Sequence, residues 1–143
     1  MNTHLTSIKT EFLATVGVAG GFVASLLGGW DTALQTLLVF MLIDIVTGWA
    51  VAITGKSPKT TTGGLYSQAN FIGLVKKGVM LMLVWMATQL DIATGLDFIR
   101  AGVVLSFAFN EGLSITENAG LLGVPLPRQL TEALELLKKQ KGE

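Results

Sequence analysis

The sequence predicts an all-α membrane protein: a bundle of about four transmembrane helices and a short amphipathic cytoplasmic helix, in one domain over residues 1–143. Three observations lead there. Half of the 143 residues are hydrophobic and only 14% are charged, against roughly 25% charged in ordinary soluble domains. With a mean hydropathy of +0.60, a water-facing surface is hard to build from this chain, because a small domain exposes much of its length. The few charges also fall at intervals that leave runs near the ~20 residues needed to cross a hydrocarbon core. Finally, Lys and Arg cluster in segments that one topology places on a single side.

The first span is expected over residues 12–30, FLATVGVAGGFVASLLGGW, which carries no charge. A signal peptide is the rival reading, since Lys9 precedes the run, but the run exceeds the usual apolar region and a second one follows at once. The second span, residues 32–55, is the strongest apolar stretch and has Asp44 as its only charge. Residues 56–77 read as a basic loop holding Lys56, Lys59, Lys76 and Lys77 and no acid. The third span is expected over 78–96, with Asp91 near an interface. The fourth, 98–115, is weaker because Arg100 and Glu111 bracket its uncharged core, and a re-entrant or interfacial helix is the alternative. After a Gly- and Pro-rich stretch, residues 126–141 form an amphipathic helix. Its acids Glu132 and Glu135 lie early and its lysines late, as the helix dipole favours, and Glu135 is placed to pair with Lys139. It serves as a solvated terminal helix or as a contact to the membrane surface.

Four spans with both termini inside put Lys9, the four loop lysines, Arg128 and the tail lysines in the cytoplasm, and leave only Arg100 outside. This fits a multi-pass membrane protein with both ends in the cytoplasm better than a three-span layout does.

Ten basic and ten acidic residues cancel, so no global field exists to hold nucleic acid. The absence of Cys and the single His exclude thiolate metal sites, Cys nucleophiles and His-based triads. No phosphate loop or paired catalytic carboxylates appear, so neither an enzyme nor a cofactor or metal site is expected.

Other residues invite functional readings. Span one carries two ladders of small residues, Gly17, Gly21, Ser25, Gly29 and Gly20, Ala24, Gly28, of the kind that lets helix backbones approach closely in lipid. Packing within one monomer and self-association both fit. Asp44, near the bilayer midplane, costs about 2.5 to 3.5 kcal/mol if inserted as an isolated charge. Three roles stay open for it: a hydrogen bond that specifies helix association, a pore-lining or assembly-switch position, or proton transport. Span four repeats Gly102, Ser106, Asn110 and Ser114 on one small, polar face, with Arg100 and Glu111 sharing another, and is expected to be an inner helix.

The runs LIDIVTGW at 42–49 and GLVKKG at 73–78, with Ser67 before the latter, and NEGLSITENAGLLGVPLPRQLTEALELLKK at 110–139 resemble phage holin family 4, the toxin-secretion and phage lysis holins. The resemblance covers most of the chain from about residue 35, and its last block is the specific part. It marks Asp44, Thr47, Gly48, Ser67, Gly73, Lys76, Lys77, Asn110, Glu111, Ser114, Glu117, Asn118, Gly123 and Pro125 as motif positions, none catalytic. The resemblance implies a homo-oligomeric protein of the bilayer that assembles into lesions, depolarises the inner membrane and lets an endolysin, with no direct contact required, reach the cell wall. The alternatives are a small ion channel or transporter subunit with a midplane acidic site, and a regulatory, antiholin-like scaffold.

Overall fold

The computed structural model describes residues 2–59 and 67–141. Five helices follow one another: α1 (Asn2–Leu26), α2 (Thr32–Ile53), α3 (Ser67–Thr94), α4 (Ile99–Leu122) and α5 (Arg128–Lys141), with no strand among the described residues. The helix ends follow local chemistry. Asp31 caps α2 by accepting the Leu34 amide at 2.8 Å. Gly55, at φ +71°, closes it with the amides of Gly55 and Lys56 bonded back to Ala52 and Val51, the paired arrangement that satisfies terminal carbonyls. Gly123, at φ +84°, ends α4 in the same way, and Pro125 and Pro127 prevent its continuation.

α4 is the inner helix, packing against both α2 and α3, while α2 and α3 make no comparable contact with each other. The core is a single layer of Leu27, Leu34, Leu37, Met41, Val84, Val104 and Ala108. Gly112 of α4 faces the Phe40 ring of α2, at a spacing where a Cβ would make an ordinary 3.5 Å contact. Outside this layer the apolar side chains point away from the protein: Leu42, Val46, Phe71, Met82 and Leu105 are all exposed. Only 28% of the apolar window of α2 and 22% of that of α3 is buried. A soluble core helix would be mostly covered, so this surface suits hydrocarbon.

Several sequence expectations need correction. The third span starts at Ser67, eleven residues before the expected position 78, so Lys76 and Lys77 are helical and the basic loop is shorter; residues 60–66 lie outside the described residues. α4 runs on to Leu122 and takes the Ser114–Asn118 segment into the helix. α1 stops at Leu26, because Gly28 and Gly29 turn at φ +88° and +106°. These two glycines therefore leave the small-residue ladders, and the uncharged helical stretch shrinks to residues 12–26, about 22 Å at 1.5 Å per residue. By length and composition, two helices, Thr32–Ile53 and Gln68–Thr94, are fit to cross a membrane, not four. α1 is too short in apolar length, and α4 carries Arg100, Glu111 and Glu117.

Beyond its last turn, where Ala24 and Leu27 are buried, α1 is exposed along its described side chains, and a Cβ on Gly17, Gly20 or Gly21 would meet nothing within 4 Å. Among the described residues, the Gly17–Gly21 part of its ladders meets no neighbour, while Ala24 packs inside the monomer. The stripe on α4 is also reassigned: Gly102, Ser106 and Asn110 are exposed and Ser114 half-buried, while Val104, Ala108, Glu111 and Asn118 form the packed face. Ser106 satisfies its hydroxyl on the Gly102 carbonyl. The tail helix begins at Arg128 with the Arg128–Glu132 pair at 2.8 Å. The expected Glu135–Lys139 pair falls on a lysine side chain outside the described residues.

Candidate functional site: a buried ion network and an arginine corner

Asp44 lies nine residues before the end of α2, about 13 Å along the axis. Lys77 lies ten residues into α3, and Glu111 sits in the middle of α4 on its packed face. The three converge. The Lys77 ammonium donates to Asp44 Oδ2 at 2.8 Å and to Glu111 Oε2, and all three side chains are nearly buried. Asn118, one and a half to two turns further along α4, donates from Nδ2 to Asp44 Oδ1 at 3.2 Å and to Thr47 Oγ1 at 3.1 Å. Thr47 in turn donates to the Ile43 carbonyl at 2.9 Å. Gly48 faces Asn118, whose amide nitrogen would make an ordinary 3.8 Å contact with a Cβ at that position.

The arrangement holds one cation against two carboxylates. Burying such groups is tolerable only when each is paired and hydrogen-bonded. That condition is met, since no buried side-chain nitrogen or oxygen among the described residues lacks a partner. Residues that look unrelated in sequence, Asp44, Thr47, Gly48, Lys77, Glu111 and Asn118, thus form one site. Gly73 lines a cleft beside it. The remaining motif positions do other things: Lys76 and Glu117 are exposed, Ser67 begins α3, and Gly123 and Pro125 shape the α4–α5 connection.

A second polar cluster sits at the opposite end. Arg100 donates from Nε to the Leu27 carbonyl, from one guanidinium nitrogen to Asp31 at 2.6 Å and from the other to the Gly29 carbonyl at 3.3 Å. Asp91 accepts the Ile99 and Arg100 amides at 3.0 and 2.9 Å, capping α4 from the end of α3. Gly28 is required here twice, by its positive φ and because any Cβ would collide with the Arg100 side chain. Arg100 and Glu111 do share a face of α4, as their spacing predicts, but each serves a different cluster.

The hydrogen bond from Arg100, aided by the Leu34 amide, holds the Asp31 carboxyl below its ordinary 3.8 and outweighs the opposing desolvation. Asp31 lies in the connection before α2. A carboxyl with a lowered folded-state pKa contributes its stability in full above the unfolded value and loses it as pH falls through the folded value. The protection of the Leu27–Gly29 amides, taken relative to their intrinsic exchange rate at each pH, is therefore expected to be flat at neutral and mildly acidic pH and to fall only below the ordinary carboxylate range. Asp31→Asn should abolish that acid step.

The sequence reading singled out Asp44 and Glu111 but missed their shared cation, because Lys77 was read as part of a loop. It also missed Asp31 and Asp91 as capping groups. Asp31 had a legible signal, an Asp directly before an apolar helical run. The Asp91 contact, made across a chain reversal, had none.

An exposed apolar helical hairpin floored by a third helix, with ionic groups paired in its interior, defines a small helical protein with the character of a membrane protein. The model of the bacteriophage holin family matches residues 21–139, and the chain belongs to that family. Among its relatives, an uncharacterised 14.9 kDa protein of Clostridium perfringens is 38% identical over 80% of this chain and 83% of its own length. An uncharacterised protein of Bacillus subtilis is 34% identical over 77% and 74%. A protein of Bacillus phage phi105 described as a probable holin is 32% identical over 77% of each chain. No solved structure matches. The holin family is not an enzyme family, and its match here supports a holin-like function in a membrane.

Proposed function

We propose that this chain is a holin: it accumulates in the bacterial cytoplasmic membrane, self-associates and opens lesions that depolarise the membrane and give an endolysin access to the cell wall. The observation that carries this reading is the Lys77 bridge between Asp44 and Glu111, set inside helices whose outer faces are apolar. Isolated charges at that depth oppose insertion, whereas paired ones can be embedded and later exposed to water. The same pairing supports α4 as a further crossing beside α2 and α3, since its Arg100 and Glu111 are both engaged. On α1, the ladder glycines with open faces, Gly17, Gly20 and Gly21, are free to meet other copies. The distribution of Lys favours both termini and the α2–α3 connection on the cytoplasmic side. The endolysin is a functional partner that needs no direct contact.

Induced expression of the chain with a cytoplasmic endolysin lacking an export signal tests this. The expected result is delayed, abrupt depolarisation followed by hydrolase release and lysis, with onset shifted more by Asp44→Lys than by Glu132→Lys on the exposed tail. The ion network also suits a narrow channel. Ion flux without hydrolase release would favour that reading, and no permeabilisation at all would favour a regulatory scaffold.

A further inference from the structure

We propose that the cleft between α2 and α3 is a water-filled vestibule, entered from its Ser57 and Lys59 end and sealed at its inner end, so that aqueous ions reach the Asp44–Lys77 pair from that side only. The inference rests on the membrane insertion argued above. The cleft encloses about 230 Å³, enough for several water molecules. Ser57 and Lys59 stand at its mouth, Gly48 and Gly73 along its walls, and Asp44 and Lys77 at its inner end. It exists because α2 and α3 pack mainly on α4 and touch each other chiefly at the Lys77–Asp44 bridge, and because Gly48 and Gly73 leave space between the larger wall residues Ile45, Trp49, Phe71 and Leu74.

Two features select water over lipid and give the cleft a direction. Lys77 and Asp44 keep only 11% and 13% of their side chains uncovered, and a hydrocarbon tail in the cleft would strip the solvation of that charged remainder. Beyond Asp44, one turn further toward the start of α2, the path meets Met41, then Leu37 and Leu34, closed in by Val84 and Val104, with the last four fully buried. An apolar layer of this kind does not hydrate, which is how hydrophobic constrictions block ions. The protomer therefore has a wet half and a dry half, divided next to the ion network.

The chain has no Cys, so single-cysteine variants of the full protein read the cleft directly. A thiol reacts with a charged, membrane-impermeant methanethiosulfonate only where water lets it ionise. The variants are Ser57→Cys at the mouth, Gly48→Cys and Gly73→Cys on the two walls, Val46→Cys on the outer face of α2 and Leu37→Cys in the dry layer. They are assayed in membrane vesicles of both orientations. Ser57→Cys and both wall variants are expected to react from one and the same side, the wall positions at least tenfold faster than Val46→Cys, with Leu37→Cys silent from either side. Wall positions as slow as Val46→Cys while Ser57→Cys reacts would overturn the vestibule, because lipid or a second copy would then fill the cleft. Reaction of Gly48→Cys from both sides would overturn its one-sidedness. Equal reaction of Ser57→Cys from both sides would overturn the insertion itself, a failure distinguishable from the other two. Gly73→Cys, whose side chain enters open space, keeps the test decisive if Gly48→Cys does not accumulate.

Discussion

Lys77→Met is expected to destabilise the protein by about 3 to 5 kcal/mol, the scale seen when one partner of a buried ion pair is removed and the other is left uncompensated. Here the loss is compounded, because Asp44 and Glu111 both take their cation from Lys77 and would face each other across the vacated space. The variant should fail to accumulate in membranes, or lose its folded α2–α4 contact when extracted in mild detergent. Neutralising all three positions separates charge from packing. Lys77→Met combined with Asp44→Asn and Glu111→Gln keeps the volumes nearly constant, removes every buried charge and should recover most of the lost stability. If the single variant accumulates and melts like the parent protein, the network is not buried as described.

Arg100→Ala is expected to release the corner at the opposite end. It removes three donor contacts, to Leu27, Asp31 and Gly29. Hydrogen bonds of this charged kind are worth about 1.5 to 3 kcal/mol each, but the contribution of Asp31 is cut by its half-exposed side chain. The two carbonyl contacts alone then give a local loss of about 3 kcal/mol, corresponding to roughly 150-fold faster amide exchange in the 27–29 turn. α1 should swing more freely, because little besides Ala24 and Leu27 fastens it. Arg100→Lys should recover only part of the effect, since an ammonium cannot reproduce the fork geometry of the guanidinium. Arg128→Ala, which breaks the exposed pair with Glu132, should change stability by less than about 0.5 kcal/mol.

Reading the sequence against the structure shows where each kind of information resides. The helices α2 and α5 were legible because hydropathy and breakers are local: a long apolar run ending near Gly55, and an amphipathic run opening after Pro127. The start of α3 was not. Lys76 and Lys77 adjoin an apolar stretch, and in sequence a basic pair there marks the end of a span, unless something inside the protein can neutralise it. The end of α1 was misread for a related reason, because Gly28 and Gly29 extend a small-residue periodicity that the chain breaks to offer its carbonyls to Arg100. On α4, periodicity found two faces but could not say which one packs. The regular, small, polar stripe faces outward, and the face carrying Glu111 and Asn118 faces inward.

The sequence by itself determined that this is an all-helical, apolar chain with few charges, that Asp44 and Glu111 are its most constrained acids, and that its last block resembles the holins, since composition, charge spacing and motif order are properties of the chain read in one dimension. Only the tertiary structure decided that Lys77 belongs to those acids, that Arg100 serves a separate corner, and that the cleft beside the ion network stops at an apolar layer. These are contacts between residues 33 to 74 positions apart. Whether a buried charge is a liability or a fastening depends on which partner three-dimensional packing brings within hydrogen-bonding distance.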